Sequence, residues 1–110
     1  MRDDKERLLD ILEAIDRIEK YAIQGRQAFE QSELIQNWMI RNLIIIGESV
    51  YKISVAFKQE HATIPWDQIE GMRHVLVHDY FEINPQMVWI VVEKEIAPLK
   101  QHVQEILKEH

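Results

Sequence analysis

Apolar residues recur every three or four positions along most of this chain, and that spacing constrains the fold more than any other feature. The first such segment spans residues 4–23, with apolar positions at Leu8, Ile11, Leu12, Ile15, Ile18 and Ala22. This spacing lines up one face of an α-helix, whereas a half-buried strand would alternate at every second residue. The chain shows no strand-like alternation and no internal repeat. We therefore predict an all-α protein.

Two further helices follow from the same spacing and from residues that start or stop helices. The second should span about residues 33–58, with Ser32 as its N-cap. Residues 26–32 should form a polar connection in front of it, with room for a short turn around Ala28-Phe29. The third should begin at Pro65, which suits a first helical turn, and should end between residues 77 and 80.

The last helix begins at a restart signal, because Asn84 suits an N-cap and Pro85 suits the first helical position. It should continue to about residue 108, with Pro98 kinking or dividing it. Gly71 is unfavourable inside the third helix and predicts a close helix crossing or backbone access to a ligand. Four helices with short connections predict an antiparallel up-and-down four-helix bundle in one domain, residues 1–110.

Composition and charge limit the classes of function. The chain is 46% hydrophobic and 29% charged, which is ordinary for a globular protein, and it has no cysteine for disulfides or thiolate metal sites. Its first residues are charged and its longest apolar run, residues 87–92, is short, so we expect a cytoplasmic protein without membrane contact. The net charge of −6 argues against a broad nucleic-acid-binding surface but allows a small cationic cleft.

Most of the chemically capable side chains lie in one stretch, which reads Arg73-His74-Val75-Leu76-Val77-His78-Asp79-Tyr80. At about 100° per residue, Arg73 and His78 are splayed by roughly 140° around a helix. The two side chains can therefore meet one ligand only in two ways. Either the helix ends near His78 and the imidazole swings round, or a second copy of the chain supplies half of the site.

These residue types suffice for RNA cleavage without a metal or cofactor. A guanidinium fits phosphate oxygens, and an imidazole exchanges protons near neutral pH. We expect His78 to act as acid and base at the ribose 2′-hydroxyl, while Arg73 stabilises the charge on the attacked phosphorus. Tyr80 would lie beside the phosphate. Glu48 lies among isoleucines and needs a partner, for which Arg41, Arg73 and His74 are the candidates.

Two other readings of the same residues are possible. The arginine, histidines and tyrosine can form a capping and surface-packing cluster near a helix end. Alternatively, Glu70, His74 and His78 repeat at four-residue spacing and could hold one metal ion. The chain has neither a His-Glu-x-x-His pattern nor a cysteine to complete such a site, so we predict no metal.

The motif resembles the signature of HEPN-domain ribonucleases, in particular the HepT-like toxins. Residues 41–49 and 64–73 are also similar to that family, so the likeness extends over nearly the whole chain. It implies a homodimeric HEPN-like four-helix bundle with Arg73 and His78 as catalytic residues. His74 stands where asparagine or aspartate is common in the family, and it and Glu48 would be supporting residues.

The resemblance also implies a role for the protein and a partner. The chain would be the endoribonuclease toxin of a type VII toxin–antitoxin pair, with RNA as its substrate and a 2′,3′-cyclic phosphate as product. A minimal nucleotidyltransferase antitoxin would silence it by transferring AMP to Tyr80. The alternative is a non-catalytic partner subunit of a nucleotidyltransferase, in which Arg73 and His78 bind a nucleotide or dock the transferase.

Overall fold

A computed structural model describes residues 3–109 and confirms that this part of the chain is all-helical. A 3-10 turn at Tyr80–Glu82 follows the fifth helix. The predicted domain also includes residues 1, 2 and 110, which lie outside the described residues. The helices are α1 (Asp4–Ala22), α2 (Arg26–Gln31), α3 (Glu33–Lys52), α4 (Val55–Glu60), α5 (Trp66–His78), α6 (Pro85–Lys94) and α7 (Ile96–Glu109).

The predicted helix starts are confirmed where a side chain caps the backbone. The Ser32 hydroxyl accepts a hydrogen bond of 3.1 Å from the Ile35 amide, and α3 begins at the next residue. The Asn84 side chain accepts one of 2.9 Å from the Gln86 amide, in front of α6. Helix α5 begins directly after Pro65 and ends within the predicted window. Local capping chemistry therefore sets these boundaries.

The prediction of one continuous helix over residues 33–58 is wrong, because the chain breaks after α3 and restarts as α4. Ser54 caps α4 by accepting a hydrogen bond from the Phe57 amide. The carboxylate of Asp4 accepts two more, from the amide of Ser54 at 2.9 Å and from its hydroxyl at 2.7 Å. The start of α1 therefore holds the break between α3 and α4 in place.

The prediction of a polar connection over residues 26–32 is also wrong, because most of it forms helix α2. Gly25 precedes this helix with a φ of 93°, a backbone conformation that favours glycine. Phe29 anchors the helix in the core, where its ring centroid lies 5.3 Å from that of Trp89. Burial of one aromatic side chain thus accounts for a short helix that the polar sequence does not suggest.

The expected effect of Pro98 on the last helix is confirmed. Helix α6 ends before Glu95 and α7 begins after it, with Pro98 in the first turn of α7. Proline has no N–H to donate to the preceding turn, so a continuous helix would lose a hydrogen bond there. The Glu95 amide closes α6 by bonding to Val91, and the Glu95 carbonyl accepts from Leu99 at the start of α7.

Helix α3 is the centre of the fold. It packs against α1 on one side and α5 on another, and it also contacts α2 and α6. At the far end of the bundle, Lys100 of α7 donates a hydrogen bond of 2.7 Å to Glu19 of α1, and this carboxylate raises the pKa of Lys100. None of the helices within residues 3–109 has the length and apolar character to cross a membrane. The buried core includes Ile11, Ile15, Leu43, Ile46, Val92 and Val103.

Helices α3 and α5 approach each other closely at Gly47. A Cβ added there would overlap the Cβ of Arg73 and would lie 3.4 Å from its Cα. By contrast, a Cβ added at Gly71 meets no atom within 4 Å. The predicted helix crossing at Gly71 is therefore wrong, since the glycine that permits the close approach is in the other helix.

The two glycines give opposite predictions for alanine substitution. Gly47→Ala should destabilise the protein by about 1–3 kcal/mol or more, because the new methyl group overlaps α5. Gly71→Ala should stabilise it by up to about 1 kcal/mol, because alanine favours an open helical position. Urea denaturation of both variants measures the difference. Adding Arg73→Ala to Gly47→Ala should give no relief, since alanine keeps the Cβ; equal stability of the two single variants would contradict the close crossing.

Candidate active site

Arg73 lies in α5 with its side chain against α3. The ring centroid of Tyr51 is 5.3 Å from the guanidinium carbon, within the range of a cation–π contact. An oxygen of Glu48 is 4.0 Å from a terminal nitrogen, which is close enough for charge attraction but too far for a hydrogen bond. The arginine side chain is 27% exposed. It is thus a positioned cation that solvent and ligands can still reach.

One nitrogen of this guanidinium has no acceptor among the residues that the structure describes. The Nε atom of Arg73 is buried and forms no hydrogen bond within residues 3–109. A buried donor without a partner is costly, and oxyanions such as phosphates satisfy guanidinium donors well. Because the side chain is 27% exposed and Glu48 lies beyond hydrogen-bond distance, the accessible part of the guanidinium can still bind an anion.

Glu48 approaches one of the three partners expected from the sequence. It faces Arg73, and its side chain is 49% exposed. It also lines a cavity of about 350 Å³ together with Arg41 and Tyr80. A carboxylate at this position can orient the arginine, as the sequence predicts, while staying accessible to solvent.

Tyr80 lies in the 3-10 turn that follows α5. Its half-exposed side chain borders the same cavity as Glu48, beside Arg41 and Ile44 of α3. The ring of Phe81 packs edge-on against it, with the centroids 5.7 Å apart. Tyr80 and Arg73 therefore both lie near Glu48, one at its cavity and one at its carboxylate.

His78 is not brought to Arg73 within one chain. Its exposed ring packs on that of His74, one helical turn earlier, with the centroids 4.4 Å apart. Within residues 3–109, no hydrogen bond, ion pair or ring contact joins His78 to Arg73 or Tyr80. Helix α5 does end at His78, yet the imidazole does not swing round. Of the predicted site residues, a single chain thus assembles Arg73, Glu48 and Tyr80.

The metal alternative gains no support from the geometry. Lys58 donates a hydrogen bond of 2.8 Å to Glu70, so this carboxylate is already paired. The two histidines of the proposed set remain together on the exposed side of α5. Nowhere in residues 3–109 do three histidine or carboxylate side chains group as a metal ion would require.

The sequence reasoning missed two residues that fix Arg73, namely Gly47 and Tyr51. Both belong to α3, and both contact or closely approach the arginine. Their four-residue spacing places them on one face of the helix, next to Glu48. That spacing is a usable signal, but only once it is known that α5 packs against this face.

Comparison with known families gives a match over most of the chain. A family model described as Ribonuclease HepT-like matches residues 11–106. The chain belongs to the HepT-like ribonuclease family. The resemblance found in the sequence is thereby confirmed, and a ribonuclease is the class of enzyme that this family membership supports.

Individual relatives of HepT-like type differ in how much of their length the chain covers. A protein from Thermococcus cleftensis, named a probable ribonuclease HepT, is 35% identical over 108 residues, or 97% of this chain and 98% of its own. A protein from Caldanaerobacter subterraneus subsp. tengcongensis with a provisional RNase name is 38% identical over 80 residues, or 73% of this chain and 71% of its own.

The name of a third relative includes a second activity. This protein, from Methanocaldococcus jannaschii, is named a gamma-glutamylcyclotransferase and provisionally an RNase. It is 34% identical over 109 residues, which are 98% of this chain but 49% of the relative. The chain thus spans about half of that protein. No solved structure gives a significant match.

Two ion pairs beside α5 should contribute unequally to stability. Glu70→Gln should lower the free energy of unfolding by about 1 kcal/mol, because Glu70 bonds directly to a largely buried Lys58. Glu48→Gln should change it by less than about 0.5 kcal/mol, because its pair is longer and half exposed. Urea denaturation distinguishes the two. If Glu48→Gln lowered the free energy of unfolding as much as Glu70→Gln, Glu48 would be a structural residue rather than one that only orients Arg73.

Proposed function

We propose that this protein is a metal-independent endoribonuclease that acts as a homodimer and serves as the toxin of a type VII toxin–antitoxin pair. Its membership in the HepT-like ribonuclease family supports this proposal. The observation that carries the proposed mechanism is that Arg73 and His78, the two expected catalytic side chains, lie apart within one chain. Arg73 is held against α3, whereas His78 lies exposed at the end of α5, where its ring packs on that of His74.

A second copy of the chain would remove this separation. Three side chains beside His78 are apolar or aromatic and exposed, namely Val77, Tyr80 and Phe81, the last of them 98% exposed. Exposed apolar patches of this kind often mark protein interfaces. In the proposed dimer these surfaces pack together, and His78 of one protomer meets Arg73 of the other. Helices α1, α3, α5 and the α6–α7 pair would form the four segments of an antiparallel HEPN-like bundle.

The proposed reaction uses the ribose as its own nucleophile. His78 removes the proton of the 2′-hydroxyl, and the 2′-oxygen forms a bond to the adjacent phosphorus as the bond to the 5′-oxygen breaks. The protonated His78 then donates its proton to the departing 5′-oxygen, so it acts as both base and acid. Arg73 stabilises the negative charge on the phosphorane oxygens, with Glu48 orienting it and His74 supporting His78. The products are a 2′,3′-cyclic phosphate and a free 5′-hydroxyl.

Incubation of the purified protein with RNA in EDTA tests this function. The wild type should cleave, and both Arg73→Ala and His78→Ala should lower the rate by about 100-fold or more. Equal cleavage by both variants would indicate a contaminating nuclease and would remove the assignment. Binding without cleavage would favour the non-catalytic partner subunit, and a requirement for added divalent metal would favour a metal site.

A mixing experiment tests whether the site is shared between protomers. Neither variant alone should cleave, but a mixture should recover up to about a quarter of the wild-type rate, because random exchange makes about half of the dimers mixed and each has one intact site. This holds if each site pairs Arg73 of one protomer with His78 of the other. No recovery, despite proven subunit exchange, would contradict the shared site.

We further propose that a nucleotidyltransferase antitoxin silences the enzyme by attaching AMP to Tyr80. The tyrosine is half exposed and borders a cavity that also contacts Arg41 and Glu48. An added phosphate group there would bring negative charge next to the RNA-binding cation and would fill the space beside it. The modification would therefore block RNA by charge repulsion and by volume.

Tyrosine substitution distinguishes this modification site from other exposed tyrosines. After coexpression with the transferase, Tyr80→Phe should show no AMP mass gain and should keep cleaving RNA, since only the acceptor hydroxyl is lost. Tyr51→Phe is the matched control, because Tyr51 is also exposed and close to Arg73, and it should gain mass like the wild type. Intact-mass measurement gives the result. An unchanged mass gain in Tyr80→Phe would place the modification elsewhere.

A further inference from the structure

A polar groove of about 250 Å³ lies between α1 and α3 and adjoins the candidate active site. Glu48, the carboxylate that faces Arg73, forms part of its wall. No step of the proposed cleavage reaction uses the rest of the groove. The other lining residues are Arg7, Asp10, Glu13, Arg17, Ile45, Ser49 and Lys52.

Three cations and three carboxylates line the groove, so its formal charges balance, but the carboxylates are already engaged. Glu13 pairs with Arg17, and Asp10 has an interaction of its own. Glu48 faces Arg73, which does not line the groove. Arg7 and Lys52, by contrast, form no ion pair within the part of the chain that the structure describes.

Arg7 also has an unmet hydrogen-bonding requirement. Its Nε atom is buried and finds no acceptor within residues 3–109. A phosphate oxygen is an acceptor that suits a guanidinium in both charge and geometry. The groove therefore contains two cations, Arg7 and Lys52, that form no ion pair within residues 3–109 and could bind an anion.

An exposed aromatic ring lies against Arg73 and is adjacent in sequence to Lys52, which lines the groove. Tyr51 precedes Lys52 in the last turn of α3, its ring approaches the Arg73 guanidinium, and it is 63% exposed. Proteins that bind single-stranded RNA combine cations for the phosphates with aromatic rings on which bases stack. Tyr51 and its neighbours have this composition.

We propose that a single RNA strand runs from Arg73 across Tyr51 into the α1–α3 groove. The base next to the scissile phosphate stacks on Tyr51, and a phosphate further along the same strand binds to Arg7 and Lys52. This inference rests on the proposed ribonuclease function and extends it to substrate binding outside the reacting atoms. Because the chain has a net charge of −6 and the groove has equal numbers of cationic and acidic side chains, this binding would depend on the two unpaired cations and on stacking, rather than on an overall positive surface.

Binding to an uncleavable strand tests the path without depending on catalysis. The probe is a fluorescent 2′-O-methyl RNA of about 12 nucleotides, in which the attacking hydroxyl is blocked, and anisotropy gives its affinity for the full chain. Tyr51→Ala should weaken binding by about 10-fold, whereas Tyr51→Phe should keep it, because stacking needs the ring and not the hydroxyl.

The cations are tested by their salt dependence. Lys52→Gln and Arg7→Gln should each weaken binding several-fold and should reduce the slope of log affinity against log salt concentration by about 0.7. Lys20→Gln is the matched control, because it removes the same charge from α1 outside the groove. It should leave the slope unchanged. Urea denaturation of each variant confirms that the comparison is between folded proteins.

The outcomes separate this inference from the function on which it rests. Cleavage of RNA with unchanged affinity in Tyr51→Ala and Lys52→Gln would overturn the path and leave the ribonuclease intact. The expected affinity losses without any cleavage would support the path while removing the enzyme. If the protein binds AMP alone, and Lys52→Gln lowers its affinity for AMP but not for RNA, the groove is a mononucleotide site and the inference is wrong.

Discussion

Helix α5 can lie against α3 at Arg73 only because residue 47 has no side chain. The Cβ position of Gly47 is already occupied by atoms of Arg73, so any larger residue would force the two helices apart. The close approach brings the guanidinium to Tyr51 and Glu48, which lie within one turn of the glycine on the same helix. Two rigid helices, rather than a loop, thus fix the cation on which the proposed chemistry depends.

Helix α3 combines a structural and a functional role on different faces. Its buried residues join the core with α1 and α6, whereas its exposed face presents Glu48 to three surroundings. These are the Arg73 guanidinium, the cavity at Tyr80 and the polar groove beside α1. A shift of this helix would therefore alter all three at once, so stability of the core and geometry of the candidate site are coupled.

Helix positions that depend on nearby residues could be predicted from the sequence. Ser32 and Asn84 cap the helices that follow them, and Pro98 divides the last one, because each acts within a few residues of its own position. Ser54 caps α4 locally as well, but its position is also fixed by Asp4 at the start of α1, a contact between distant parts of the sequence that the local pattern does not reveal. Helix α2 was missed for the same reason, because the burial of Phe29 requires a distant tryptophan.

The candidate site shows the same division between local and distant information. The angle between Arg73 and His78 follows from helical geometry. The contact between the rings of His74 and His78 follows from their four-residue spacing. Which glycine permits the helix crossing does not follow, because Gly47 and Gly71 are both helical and differ only in what lies opposite. The contact of Tyr51 with Arg73 is likewise a consequence of tertiary packing.

The position of Glu48 has a consequence for any anion that reaches Arg73. A carboxylate 4.0 Å away already neutralises part of the guanidinium charge, so an incoming phosphate must share the cation with a permanent internal competitor. Such competition would lower the affinity of Arg73 for an anion without abolishing binding. Occupancy of Arg73 is thereby made reversible, which favours exchange of one bound anion for the next over long retention of the first.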